Sequence, residues 1–212
     1  MTPTIHLLIL MHVCTIVVAM SNTHPTYTIS SILVFGDSTV DTGNNNYIEW
    51  TLVKANYLPY GKDFPGHLPT GRFSNGKLVV DFLASILNLK DSVPPYLNPN
   101  LSDKELLTGV CFASGGSGID DLTATSANVI SMPHQIEYFK TYAEKLRLIA
   151  GKNKSTQILE DALVVISVGA NDIIFNFYDL PTRRMMFINI NTYQDYLLDR
   201  LQIFIKRFCT VF

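Results

Sequence analysis

Two hundred and twelve residues, 47% of them hydrophobic and 16% charged, suffice for one globular domain and are rather apolar for a freely soluble one. A net charge of −2 offers no basic field for nucleic acid. Three cysteines, Cys14, Cys111 and Cys209, are too few for a disulfide-stapled scaffold, so folding must rest on a packed core.

The chain opens on an apolar run from Ile5 to Ala19, broken only by His6, His12 and Thr15. A membrane-crossing helix needs about 20 apolar residues. This run is shorter and passes into Ser21-Asn22-Thr23, while Val17 and Ala19 are small enough for the −3 and −1 positions of a peptidase site. A signal peptide over residues 1–21, cleaved between Ala19 and Asn22, and secretion of the remainder are therefore expected. The absence of Lys and Arg ahead of the run departs from that pattern and leaves an uncleaved anchor as the alternative. No later run reaches spanning length. Asn100-Leu101-Ser102 and Asn153-Lys154-Ser155 are glycosylation sequons, making Asn100 and Asn153 candidate acceptors in the secretory pathway.

Ile32-Leu33-Val34-Phe35, ending at Gly36, reads as a buried parallel strand. Residues 55 to 76, rich in Pro and Gly, read as an irregular connection. Leu78, Val79, Phe82, Leu83, Ile86 and Leu87 recur at helical spacing, with Ser74 or Asn75 available as cap. A second strand is expected over Gly109 to Ala113. A long helix is expected from Pro133 to Gly151, carrying Ile136, Phe139, Tyr142 and Leu146. Ala162 to Val168 reads as a third strand, and a last helix from Thr192 to Phe208 carries Tyr193, Tyr196, Leu197, Leu201, Phe204 and Ile205. Strands alternating with helices predict an α/β fold, a parallel sheet covered on both faces, with ligands beyond the strands' carboxyl ends.

Each strand ends in a suspicious loop. The first reads Gly36-Asp37-Ser38-Thr39-Val40-Asp41-Thr42-Gly43-Asn44-Asn45 and the second Phe112-Ala113-Ser114-Gly115-Gly116-Ser117-Gly118. The third reads Gly169-Ala170-Asn171-Asp172. Alone, Gly36-Asp37-Ser38 is a common turn. A phosphate-binding turn at residues 115–118 is disfavoured, because Gly116 to Asp121 lacks a third glycine and sets two acids at the helix start. Together with Thr70-Gly71-Arg72-Phe73-Ser74-Asn75-Gly76, however, the loops resemble in order the blocks of the plant GDSL esterase/lipase family, the SGNH-type hydrolases. The resemblance runs from Ile32 to about Arg207. It implies a three-layer, flavodoxin-like domain over residues 28–212, with strand order 2-1-3-4-5, that hydrolyses small-molecule or lipid carboxylic esters.

By the same resemblance Ser38 would be the nucleophile, and the Ser38 N–H, the Gly116 N–H and the Asn171 side-chain amide would form the oxyanion hole. Gly118 remains a second candidate for the glycine donor. Asp41 and Asn44 read as loop organisers. No cofactor and no metal is called for.

Two departures from the family pattern stand out. The second block normally opens on asparagine where this chain has Cys111, which puts the hydrogen bonding at that strand end in question. The DxxH block that supplies the family's base histidine and its orienting aspartate occurs nowhere in the 212 residues. His6 and His12 belong to the expected signal, His24 to the polar lead, His67 to the irregular connection and His134 to a helix start. The expectation is a C-terminally truncated, impaired esterase, with strand 3 left as a sheet edge. The alternatives are a non-catalytic ester-binding or misfolded product, or a sequence that continues past Phe212.

Overall fold

A computed structural model describes residues 28–180 and 182–211, so the expected signal peptide over residues 1–21 lies outside the described residues. Strand β1 (Ser31–Gly36) pairs in parallel with β2 (Ala162–Ser167), with Val34 opposite Val165 and Gly36 opposite Ser167. On β1's other side the segment expected as a strand at 109–113 runs parallel but joins only at an isolated bridge, Val34 to Cys111. Val34 N donates to Val110 O and Phe112 N to Val34 O. One further bond forms on each side of that bridge, Ile32 N to Thr108 O and Ser114 N to Gly36 O, and the bond that would complete each pair is missing for local reasons. Gly109 has φ +94°, and a Cβ there would collide with Ile32 backbone. Beyond the bridge, the Gly36 N–H is taken by Gln135 Oε1 at 2.9 Å instead of by a carbonyl. Cys111 also bridges Pro95, so the spatial order is 95, 111, β1, β2, which contains the expected 2-1-3 arrangement.

Alternation along the strands sorts their side chains to two faces. Leu33, Phe35, Val164 and Ile166 meet helices α4 (Met132–Ala150), α5 (Lys152–Glu160) and α6 (Ile190–Cys209). Phe35 is the hub, with ring centroids 4.9 to 5.8 Å from those of Phe112, Phe139, Phe204 and Phe208, in stacked and edge-on geometries. Ile32, Val34, Leu163 and Val165 face α1 (Val79–Ile86), Val40 and Val93. Helices thus cover both faces of a parallel sheet, as α/β folds require. Among the described residues, β2 has a ladder partner on one side only. No described helix is long and apolar enough to cross a membrane.

α1 is rotated from the expected orientation. Of the expected stripe, Val79, Phe82 and Ile86 face solvent while Leu78 is buried and Leu83 packs against the core, and Val80, Asp81 and Ala84 are turned inward. The cause is an ion pair. Arg72 Nε and Nη2 each donate at 2.8 Å to the Asp81 carboxylate, which also accepts from Val93 N and Leu78 N at 2.8 Å. Both partners are buried, so the pair fixes which side of the helix turns inward. Asp81, by accepting from Leu78 N, also does the capping expected of Ser74 or Asn75. Ser74 Oγ instead accepts from Gly76 N.

The expected long helix and last helix match α4 and α6. α4 opens with Pro133 in its first turn, with Ser131 Oγ accepting from His134 N, and ends at Gly151. The short helices α2 (Asp103–Leu107) and α3 (Asp121–Ala127), α5, a 3-10 helix Asn44–Tyr47 and a π-helical segment Asp172–Asp179 complete the elements of the described residues.

Candidate active site

β1 ends at Gly36, which has φ +136°, and a Cβ there would overlap Ser167 O. The chain turns sharply, Asp37 N donating to Ser167 O at 2.9 Å and Val40 N and Asp41 N to Asp37 O. The Asp37 carboxylate accepts from Thr39 N and Thr39 Oγ1 at 3.0 and 2.7 Å, and burial raises its pKa. Thr39 Oγ1 also meets Ser167 Oγ at 2.7 Å. Ser38 is left half-exposed at the head of this turn, and neither its hydroxyl nor its N–H has a protein partner among the described residues.

The rest of the first loop is built on buried polar side chains that bind the second. Asp41 Oδ1 accepts from Gly43 N and Asn44 N, and Oδ2 from Gly115 N, all at 2.8 Å. Burial drives its pKa up to about 6 against those three N–H groups and the Arg72 charge, which pull it down. Asn44 Nδ2 donates to both Cys111 O and Ala113 O at 2.8 Å, while its Oδ1 accepts from Leu97 N. Asn45 Nδ2 donates to Gly115 O and Val53 O at 2.8 and 2.7 Å. The Cys111 departure is absorbed locally. Its buried thiol donates to Val40 O at 3.2 Å, and burial, with the neighbouring Asp41 charge, pushes its pKa up to about 12.

The third loop clasps the second from β2. Asn171 Nδ2 donates to Ser117 O at 2.8 Å, leaving its second amide hydrogen uncommitted. Next to it, the Asp172 carboxylate accepts from Ile119 N, Asp120 N and Thr123 Oγ1 at 2.8, 3.0 and 2.5 Å. It is fully buried, and burial raises its pKa to about 6. A Cβ on Gly118 would run into that carboxylate, so Gly118 is glycine to admit Asp172. Gly116 is glycine for its backbone, at φ +84°, and its N–H has no protein acceptor among the described residues.

The sequence-derived residues Ser38, Gly116 and Asn171 thus lie on three loops at one sheet edge, joined by Asp41–Gly115, Asn45–Gly115 and Asn171–Ser117 contacts. The two described histidines, His67 and His134, bond other groups. His67 Nδ1 meets Lys62 O at 2.6 Å, and His134 Nδ1 meets Ser131 Oγ at 3.1 Å; neither bonds Ser38. Asn100 and Asn153 are exposed, although Ser155 of the second sequon is buried. Among the described residues no three His, Cys, Asp or Glu side chains gather as a metal site.

Sequence reasoning missed three side chains that build this site. Asp172 sat in the quoted motif without a role, and Arg72 in its own. Gln135, whose Nε2 also donates to Gly36 O at 2.9 Å, lay on a helix with nothing to mark it.

The family model of GDSL-like lipase/acylhydrolases matches residues 32–208. The GDSL esterase/lipase At2g24560 of Arabidopsis thaliana is 53% identical over 176 residues, 83% of this chain and 48% of that protein. The GDSL esterase/lipase At1g58430 of the same plant is 50% identical over 188 residues, 89% of this chain and 52% of that protein. The chain spans about half the length of the curated relatives it matches. It belongs to the GDSL-like lipase/acylhydrolase family.

Proposed function

We propose that the protein is a secreted serine esterase that hydrolyses carboxylic esters through an acyl-enzyme at Ser38. In the reaction Ser38 Oγ loses its proton to a base and attacks the ester carbonyl. The resulting oxyanion is held by the N–H groups of Ser38 and Gly116 and by Asn171 Nδ2, and collapse expels the alcohol. Water then attacks the acyl-serine, releases the acid and restores Ser38. The observation that carries this reading is the cross-linking of three loops whose candidate donors keep hydrogens uncommitted to protein acceptors. Donors held rigidly in advance cost no reorganisation when charge develops, which is where such sites gain most.

The base is the distinguishing question. The 212 residues hold no DxxH block, and His67 and His134 are engaged away from Ser38. The 212-residue polypeptide by itself is therefore proposed to turn over p-nitrophenyl esters slowly, since loss of a triad member leaves only roughly 10³–10⁴-fold acceleration over water. A fusion supplying a DxxH-bearing C-terminal segment from a relative should raise turnover, and Ser38→Ala should abolish the gain. The histidine positions also favour a second reading, in which these residues bind esters without consuming them; robust Ser38-dependent turnover by the polypeptide alone contradicts it. Secretion after cleavage between Ala19 and Asn22, a mature domain within residues 28–212 and glycosylation at Asn100 complete the proposal. N-terminal sequencing and deglycosylation of the product exported by plant cells test these points.

A further inference from the structure

The loop following Asn45 pushes apolar side chains outward beside the candidate oxyanion loop. Thr51 is buried, and its Oγ1 donates to Ala127 O, the last residue of α3, and accepts from Val53 N, each at 3.1 Å. Pinning Thr51 inward turns its neighbours outward: Trp50 is 79% and Leu52 98% exposed. The loop adjoins the site, because Asn45 Nδ2 binds Val53 O and Gly115 O together, and a Cβ on Gly116 would touch the Val53 side chain.

A second exposed group, Ile174, Phe175 and Tyr178, follows Asn171 on the π-helical segment. α3 joins the two groups. Its Thr123 hydroxyl donates to Asp172 and accepts from Asn176 Nδ2 at 2.6 Å, while Ala127 holds Thr51, roughly 6 Å further along the helix. Apolar side chains therefore flank the Gly115–Gly118 loop on both sides.

We propose that this rim docks on an aggregated surface of uncharged lipid ester, with Trp50 and Leu52 as the leading anchors. The choice of lipid rests on the esterase reading. The chemistry of the rim favours a fluid apolar phase over a shaped protein partner. Its anchors form two small groups, Trp50 and Leu52 on one loop and Ile174, Phe175 and Tyr178 on the π-helical segment, which insert without needing a complementary surface. Trp50 and Tyr178 are amphipathic rings suited to the depth of a lipid interface. Glu49 and Lys54 bracket the finger with opposite charges, so nothing there selects an anionic or cationic partner.

Trp50 is the sole tryptophan of the sequence, so its fluorescence reports this position alone. The intact polypeptide is titrated with phosphatidylcholine vesicles containing triolein. The expected result is a shift of Trp50 emission to shorter wavelength and quenching by phosphatidylcholine with brominated acyl chains. Leu52→Ser should weaken partitioning by roughly tenfold, the scale of one lost leucine anchor. Ile86→Ser, on the exposed stripe of α1, should leave it unchanged. Emission indifferent to vesicles overturns the proposal, as does an equal loss in Ile86→Ser, which would mean general stickiness. An emission already shifted that follows protein concentration instead of lipid overturns it in favour of a second copy. Because binding is read without turnover, absence of Ser38-dependent hydrolysis would remove the esterase reading and leave the vesicle result standing.

Discussion

Asn171 spends one amide hydrogen on Ser117 O and keeps the other, so it is both anchored and available. In a form of the protein carrying the base, Asn171→Ala should lower kcat by about 10²–10³ with little change in thermal stability, the usual loss for one oxyanion donor. Steady-state kinetics beside a melting curve checks this, and an unchanged kcat removes Asn171 from the site. Asp41 and Asp172 make a different prediction. Burial raises both from 3.8 to about 6, so between about pH 4 and pH 6 the folded state holds protons that the unfolded state has released. Stability from these groups is therefore greatest below that window and declines as pH rises through it. Urea unfolding across the window should show the slope, and Asp41→Asn should flatten it. The motif brings Ser38, Asn171 and the Gly116 or Gly118 choice forward as candidates. The different packing beside the two glycines is not legible in the sequence, since only the packed loops show the Asp172 carboxylate occupying the space beside Gly118.

At the scale of elements, α1 shows how a pattern read correctly as a helix can be read wrongly as a face. Val79, Phe82 and Ile86 form the regular apolar stripe, yet the buried Arg72–Asp81 pair holds the opposite side inward. Periodicity has no access to a salt bridge that reaches from the irregular chain at Arg72 to Asp81, nine positions on and inside the helix. Removing one partner leaves a buried charge unpaired, so Arg72→Met should cost about 3–5 kcal/mol, read by denaturant unfolding. A loss near zero would mean that apolar packing alone sets the helix. α5 escaped notice for a related reason. Its sequence, Lys152 to Glu160, is mostly polar, and Ile158 and Leu159 are its only apolar contributions to the core.

At the scale of the whole molecule, alternating strands and helices made the parallel α/β architecture readable, and the loops fell at the expected sheet edge. The segment at 109–113 was readable as apolar and extended, but the interruption of its ladder depends on the Gly109 turn and the Gln135 side chain, neither of which periodicity registers. Among the described residues β2 has an unpaired edge, and its uncharged residues Leu163 to Ile166, three of them β-branched, have only half-buried side chains. Such an edge pairs with other chains. The 212-residue polypeptide should therefore self-associate as its concentration rises, measured by sedimentation velocity, and a monomer throughout would show that the edge is protected.

Acylation of Ser38 by an ester can be read by covalent labelling whether or not a base completes the site. The polypeptide is incubated at length with p-nitrophenyl butyrate, digested and analysed by mass spectrometry. The expected result is a butyryl group confined to the peptide containing Ser38 and absent from Ser38→Ala. Butyryl groups scattered over lysines, in the same amount and places in Ser38→Ala, would contradict it.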